Sequence, residues 1–262
     1  AIVPEYFRKG FLTTDKQGQF EMNLLHVPSA LEAADHCMLF KRVVRHVSRK
    51  HGFDATFMAK PYAQTTGNGF HVHMSVLDEK GDNIFDGGEA GRANETLQHA
   101  VSGMLDTMRD MQVLFAPHAN SYRRFQPESY APTTPCWGYD HRAVAIRVPS
   151  SSGPAARFEH RVAGADANPY LVIAALLAGV MQGFESKSNP GEHIETLEQV
   201  DAKEPLSPIW QEAIKRFGGS KLAEEMFGHD FHNCYTKSRE AEEAIVSATI
   251  TDFEYRSYLR TV

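Results

Sequence analysis

Two histidines share the polar face of a predicted strand, and their imidazoles could bind a metal ion or a phosphate. In segment 69–76, apolar residues alternate with His71, His73 and Ser75. Because strand side chains point to opposite faces with a period of two, these three point away from the predicted core. A solvated outer face is the plain alternative for any one strand, although such faces favour Lys, Glu and Thr over histidine.

Three further predicted strands add glutamate and arginine to polar faces. They span 157–162, 143–148 and 19–24, and their polar residues are Arg157, Glu159, Arg161, Arg147 and Glu21. Glutamate and neutral histidine together suit Mg²⁺ or Mn²⁺, and arginine suits phosphate and carboxylate groups through paired hydrogen bonds. The sequence therefore predicts metal-assisted phosphoryl transfer, without the P-loop or glycine-rich kinase motifs.

Composition narrows the class of protein. The 262 residues are 42% hydrophobic and 23% charged, which is typical of a globular protein rather than a disordered or fibrous one. A net charge of −6 without a basic stripe argues against nucleic acid as a partner. The longest apolar run, 170–180, is shorter than a membrane span. We therefore expect a cytoplasmic protein that has no membrane partner and keeps its three cysteines reduced.

Helices are predicted around the strands. A capping box at Ser29 starts one helix, Asn94 starts a second that reaches about Leu114, and Asn168 with Pro169 starts a third. Beyond about residue 184 nearly every segment has the pattern of a helix. We expect this C-terminal layer to serve packing.

Five segments resemble the catalytic domain of glutamine synthetases in order and spacing. They are Phe-Met-Ala-Lys-Pro at 57–61, Gly-Asn-Gly-Phe-His-Val-His-Met-Ser at 67–75, Asn-Ser-Tyr-Arg-Arg at 120–124, Arg-Phe-Glu-His-Arg at 157–161 and Ala-Asn-Pro-Tyr at 167–170. The resemblance implies an α+β fold, in which helices wrap a curved antiparallel sheet and a helical C-terminal layer follows. It also implies two or three Mg²⁺ or Mn²⁺ sites, ATP as substrate and a γ-glutamyl phosphate intermediate.

The resemblance also implies roles for individual residues. Metal ligands would be Glu21, His71 and Glu159. ATP would contact His73, Ser75, Arg142, Arg147 and Arg157, and glutamate would contact Gly67, Arg124 and Arg161. Arg142, Arg147 and Glu159 would act on the transferred phosphoryl group. For Arg142 an ordinary surface arginine is the alternative.

The chain departs from the family pattern near its start. Thr14 stands where the family places a metal-binding glutamate, and Glu5 is a poor substitute. An N-terminal β-grasp domain is not recognisable. We therefore expect residues 1–17 to be the remnant or linker of a missing N-terminal region, and residues 18–262 to form the catalytic domain.

The position that shapes the ammonium site in glutamine synthetases is a further departure. The family has a glutamate there, and this chain has Tyr130. With Trp137, Tyr130 could form an aromatic wall for a longer amine through a cation-π contact. The chain thus looks most like the γ-glutamylpolyamine branch, which includes γ-glutamylputrescine synthetases.

The function expected from these observations is an ATP-dependent ligase that joins glutamate to a putrescine-like amine. Two alternatives remain open: an ammonia-dependent glutamine synthetase, and a non-catalytic relative that serves as a structural or binding module. The family resemblance further implies a homo-oligomer of stacked rings, similar to a dodecamer, as the assembly.

Overall fold

A four-stranded sheet forms the centre of the described structure. The computed structural model describes residues 19–87, 92–126, 129, 131–201 and 204–262. The strands are β1 (Val72–Met74), β2 (Trp137–Tyr139), β3 (Ile146–Ser150) and β4 (Arg157–His160), and their order across the sheet is β1-β4-β3-β2.

The sheet is mixed rather than wholly antiparallel. Strand β4 pairs antiparallel with β1 and with β3, whereas β2 pairs parallel with β3. The predicted α+β class is confirmed, and the expectation of a purely antiparallel sheet is corrected at this one pair. The chain from β2 to β3 loops back through residues 140–145, so that both strands run in the same direction.

Alternation along the first segment follows the prediction. Phe70, Val72, Met74 and Val76 pack against the core, while His71, His73 and Ser75 lie on the opposite face, where the two histidine side chains are only partly exposed. The register places Glu159 opposite both His73 on β1 and Arg147 on β3. Residues opposite each other in a ladder share a face, so the polar side chains of three strands converge.

The prediction of a strand over 19–24 is wrong. Only Phe20 makes an isolated bridge there, and its side chain is 63% exposed. An alternating pattern forms a strand only where a neighbouring strand supplies backbone partners, and among the described residues of this segment only Phe20 has such a pairing. The fourth strand of the sheet is instead β2. This strand is short and contains Gly138, so a search for alternating residues does not find it.

Helices cover the sheet and form the C-terminal layer. They are α1 (Ala30–Lys50), α2 (Glu95–Thr107), α3 (Gln112–Phe115), α4 (Ala119–Tyr122), α5 (Pro169–Ser186), α6 (Leu197–Asp201), α7 (Trp210–Gly219), α8 (Lys221–Phe227), α9 (His229–Ala248) and α10 (Asp252–Tyr258).

The helix starts follow the capping residues. Ser29, Asn94 and Asn168 each accept a hydrogen bond from a backbone N–H of the first turn. The second predicted helix is divided, because α2 ends at Thr107. The Thr107 hydroxyl donates to the Gly103 carbonyl, and the helical backbone resumes only at α3.

Helix α5 is long and apolar enough to cross a membrane by length and composition alone. It packs closely against α2, and Val172, Leu176 and Val180 are buried in the main core. These contacts identify α5 as the central core helix of this fold. The core continues through α7, where Trp210 and Phe217 are buried.

Candidate active site

The Glu159 carboxylate is the centre of the polar face. Its side chain is only 4% exposed. Oε1 accepts a hydrogen bond from Nη1 of Arg161 at 2.6 Å and lies 3.2 Å from Nδ1 of His71. Oε2 accepts from Nη1 of Arg147 at 2.8 Å. One buried anion therefore joins residues from three strand segments.

Two guanidinium groups and an imidazole keep this carboxylate ionised. Burial alone would raise the pKa of Glu159, but the hydrogen bonds from His71 and Arg147 and the charge of Arg161 outweigh it and hold the pKa well below its usual range. Burial lowers the pKa of His71, although Glu159 opposes that effect. A neutral imidazole thus lies beside a charged carboxylate.

His73 belongs to the same face and is oriented by an arginine. Nε of Arg157 donates to Nδ1 of His73 at 3.2 Å, so that Nε2 of the neutral ring carries the proton. Nε2 lies 3.8 Å from Oε1 of Glu159, which is beyond hydrogen-bond range. Burial lowers the pKa of His73, so the ring is neutral near pH 7. This N–H is a donor aimed into the polar cluster.

Arg124 is buried and lies just beyond the end of the short helix α4. Its guanidinium donates to the carbonyl of Val162 at 2.6 Å and to that of Arg161 at 3.2 Å. Burial lowers the pKa of Arg124 to about 10, while Asp166 acts in the opposite direction. The group therefore stays cationic near neutral pH and is fixed to the chain beyond β4.

Gly67 and Gly69 allow the chain to pass close to Arg124. A Cβ atom on Gly67 would lie 2.7 Å from the carbonyl oxygen of Ala59, and one on Gly69 would lie 3.0 Å from Nη2 of Arg124. Neither backbone position leaves room for a side chain without displacement. The two glycines thus hold the loop before β1 against the predicted glutamate-binding arginine.

Amide side chains fix this loop. Asn68 donates to the Met58 carbonyl at 2.7 Å and accepts from Gln19 at 2.7 Å. Asn120 exchanges two 2.9 Å hydrogen bonds with the backbone of Lys60. Both asparagines lie in the segments that carry the family resemblance, yet the pattern alone assigned them no role.

Three predicted site residues are exposed, in contrast to the buried Glu159. Glu21 is exposed and lies outside the sheet. Ser75 is exposed on the same face as His71. Arg142 is exposed as well. Its backbone carbonyl, rather than its guanidinium group, contacts the cluster by accepting a hydrogen bond from Nε of Arg161 at 3.1 Å.

The two predicted amine-binding residues are not brought together. Tyr130 lies outside the described residues. Trp137 is 4% exposed, packs into the core and donates its indole N–H to the Gly191 carbonyl at 3.1 Å. It lies opposite Ile146 in the register, whereas Arg147 lies opposite Gly138, so the indole is on the apolar face. The geometry gives Trp137 no access to the Glu159 cluster, and its amine-binding role stays a prediction.

Sequence reasoning missed Asp140, which directly follows β2. Its carboxylate Oδ1 accepts from both Nε and Nη2 of Arg147, the former at 3.1 Å. The only indication of a turn in the sequence was the residue type. Aspartate tolerates the left-handed backbone conformation that Asp140 adopts, with φ of 48°. Arg147 is therefore paired with two carboxylates, those of Glu159 and Asp140.

Comparisons with known proteins agree with this geometry. The family described as glutamine synthetase, catalytic domain, matches residues 10–258. Gamma-glutamylputrescine synthetase PuuA of Escherichia coli is 39% identical over 244 residues, which cover 92% of this chain and 52% of that protein. Glutamate–isopropylamine ligase of a Pseudomonas species is 36% identical over 246 residues, which cover 92% of this chain and 53% of that protein.

A solved structure described as a GmaS/ADP complex superposes with a TM-score of 0.85 at 31% identity, covering 92% of this chain and 57% of the other. The chain spans about half the length of the curated relatives it matches. A family match over nearly the whole chain, with the clustered Glu159, His71 and arginines, leads to one conclusion. This chain belongs to the glutamine synthetase family and carries its catalytic domain.

Proposed function

We propose that this protein is an ATP-dependent ligase that joins the γ-carboxyl group of glutamate to an organic amine such as putrescine. The observation that carries the proposal is the buried Glu159 carboxylate, which His71, Arg147 and Arg161 share. Two named relatives, a γ-glutamylputrescine synthetase and a glutamate–isopropylamine ligase, support an amine as the second substrate.

The proposed reaction has two steps. A γ-carboxylate oxygen of glutamate attacks the γ-phosphorus of ATP, forming an acyl phosphate as ADP leaves. The amine, deprotonated to its neutral form, then attacks the acyl carbon through nitrogen; phosphate leaves with the electron pair of the broken C–O bond, and the nitrogen releases a second proton as the amide forms. Both steps move negative charge across the face that carries Arg147, Arg157 and Arg161, and fixed guanidinium groups stabilise such charge.

Individual residues would divide this work. Arg147 and Arg157 would hold phosphate oxygens, with Arg142 reaching the face from its exposed position. His73 would donate its Nε2 proton to the nucleotide, beside the Ser75 hydroxyl. On the glutamate side, Arg124 and Arg161 would hold the carboxylates, because both guanidinium groups are fixed by short hydrogen bonds.

Enzymes of this family use ATP and divalent metal ions. The donor chemistry at Glu159 and His71 fits such an ion in part, since one ionised carboxylate and one neutral imidazole lie 3.2 Å apart. Among the described residues no group of three or more acidic, histidine or cysteine side chains is arranged so that it could hold a metal ion. We propose that His71 and Glu159 hold one Mg²⁺ or Mn²⁺, and that Glu21 belongs to another of the two or three sites. A bound cation would neutralise phosphate charge.

The wider setting is part of the same proposal. Residues 18–262 would form the catalytic domain with its C-terminal helices from about residue 184, and residues 1–17 would link to an N-terminal region. The protein would act in the cytoplasm as a homo-oligomer of stacked rings. Tyr130 would replace the carboxylate that favours ammonium in glutamine synthetases.

Product formation tests this proposal. The intact protein would be incubated with ATP, Mg²⁺, glutamate and putrescine, isopropylamine or ammonium, and γ-glutamyl amides would be detected by mass spectrometry together with released phosphate. His71→Asn should abolish product formation, whereas His46→Asn, the same change at an exposed position on α1, should not. Glutamine as the main product would favour an ammonia-dependent enzyme, and no glutamate-dependent ATP turnover would favour the non-catalytic alternative.

A further inference from the structure

Arg147 holds two anions that differ sharply in their exposure. The Glu159 side chain is 4% exposed, whereas the Asp140 side chain is 78% exposed. Removing the partner of a buried charge is costly, but an exposed carboxylate that loses its partner is hydrated again. Of the two anions, Asp140 is therefore the one that another ligand can replace.

The two anions also occupy different parts of the guanidinium group. Glu159 uses Nη1, while Asp140 covers the edge formed by Nε and Nη2. That edge is the side-on fork with which arginine binds a phosphate through two parallel hydrogen bonds. Asp140 places a single oxygen, Oδ1, across both donors, whereas a phosphate offers one oxygen for each.

The backbone at Asp140 supports an exchangeable contact. Its φ of 48° lies in the left-handed region, which residues other than glycine adopt at a cost. The backbone of this turn is only weakly held, because the N–H of Asp140 donates a long 3.4 Å hydrogen bond to the Val148 carbonyl. In the described structure, few contacts besides the two hydrogen bonds to Arg147 hold the Asp140 carboxylate in place.

We infer that Asp140 occupies the phosphate-binding edge of Arg147 in the nucleotide-free protein, gives up that edge to phosphate oxygens of the nucleotide, and so sets nucleotide affinity. This inference rests on the proposed function, because it requires that Arg147 binds nucleotide phosphate. Asp140 is then an internal competitor that weakens binding. A positioning residue would have the opposite effect, since its loss would weaken binding.

Calorimetric titration with ADP and Mg²⁺ tests the inference on the intact protein. The variants are Asp140→Asn and Asp140→Gly, because asparagine and glycine both tolerate the left-handed backbone. Asp252→Asn is the matched control, since Asp252 is an exposed aspartate that pairs with Arg256 on α10. An exposed ion pair of this kind corresponds to at most about a fivefold change in affinity.

We expect both Asp140 variants to bind ADP about two- to fivefold more tightly than the unmodified protein, with glycine at the upper end and Asp252→Asn unchanged. Equal or weaker ADP binding by both variants, while the unmodified protein binds, would overturn the inference and leave the proposed function intact. Absence of ADP binding in the unmodified protein and in every variant would overturn the proposed function and the inference with it.

Discussion

Nδ1 of His71 lies 3.2 Å from Oε1 of Glu159, although one residue precedes β1 and the other lies within β4. The antiparallel pairing of β1 with β4 brings them to one face of the sheet. We propose that this neutral imidazole and this ionised carboxylate together hold a divalent cation. The two residues link the fold directly to the proposed chemistry.

Acid should destabilise the protein through Glu159. Its pKa in the folded state lies below the ordinary value of 4.5, so the carboxylate contributes stability that is fully present above about pH 4.5 and is lost as the pH falls through the depressed folded-state value. Removing the counter-charge of buried guanidinium groups costs about 3–5 kcal/mol. We expect Glu159→Gln to lower the free energy of unfolding by about this amount at pH 7.

Urea unfolding at pH 7, 4.5 and 3 measures this effect. The difference between the unmodified protein and Glu159→Gln should shrink as the pH falls below 4.5, because the wild-type carboxylate becomes protonated on unfolding and loses its advantage. A difference that stays constant over this range would show that Glu159 does not stabilise the fold through its charge.

Lysine cannot replace Arg161. The arginine donates to Glu159 at 2.6 Å through Nη1 and to the Arg142 carbonyl at 3.1 Å through Nε. A single ammonium group cannot reach both acceptors and a substrate carboxylate. We expect Arg161→Lys to raise the KM for glutamate about tenfold or more, which corresponds to about 1.4 kcal/mol, and to leave the KM for ATP little changed.

Steady-state kinetics with glutamate and ATP varied separately would measure the Arg161 effect. Arg256→Lys on α10 makes the same change at an exposed position and serves as the control. An unchanged glutamate dependence in Arg161→Lys would remove Arg161 from the proposed glutamate site.

The contact between α2 and α5 depends on glycine. A Cβ atom on Gly183 would lie 2.0 Å from the carbonyl oxygen of His99, and one on Gly103 would lie 2.1 Å from that of Gly179. Both obstacles are backbone atoms of core helices, so the helices would have to separate. We expect Gly183→Ala to destabilise the protein by about 1–3 kcal/mol or more.

Thermal unfolding would compare Gly183→Ala with Gly219→Ala. Gly219 ends α7, and a Cβ atom added there would meet no atom within 4 Å beyond its own helix backbone and chain neighbours. Alanine there should be neutral or slightly stabilising, because alanine has the higher helix propensity. Equal melting temperatures for the two variants would contradict the close packing of α2 on α5.

Local patterns predicted the elements that carry the site. The alternation around His71 and His73 marked the polar face, and Ser29, Asn94 and Asn168 marked three helix starts. These features depend on neighbours in sequence, which is why the pattern was sufficient.

Features that depend on pairing between distant strands could not be predicted in this way. The contact of Arg147 with Glu159 requires the register of β3 and β4, which no local pattern encodes. The same limit explains the missed β2 and the wrong strand at 19–24. The burial of Trp137 follows from its position opposite Ile146, and this pairing could not be predicted from the sequence either.

Tyr130 should determine which amine the protein accepts. Without a carboxylate at this position, a bare ammonium ion binds poorly and has less help in losing its proton before the nitrogen attacks. A four-carbon amine regains affinity through buried methylenes, at roughly 0.8 kcal/mol each, or about 3 kcal/mol and a hundredfold in selectivity. We expect Tyr130→Glu to raise turnover with ammonium relative to putrescine, as measured by coupled phosphate release.

The rate of phosphate release from the intact protein with glutamate, ATP and Mg²⁺, at matched concentrations of putrescine and ammonium, tests the central claim most directly. We expect faster turnover with putrescine, by about a hundredfold if all its methylenes are buried. Faster turnover with ammonium would contradict the amine-ligase assignment and identify an ammonia-dependent glutamine synthetase instead.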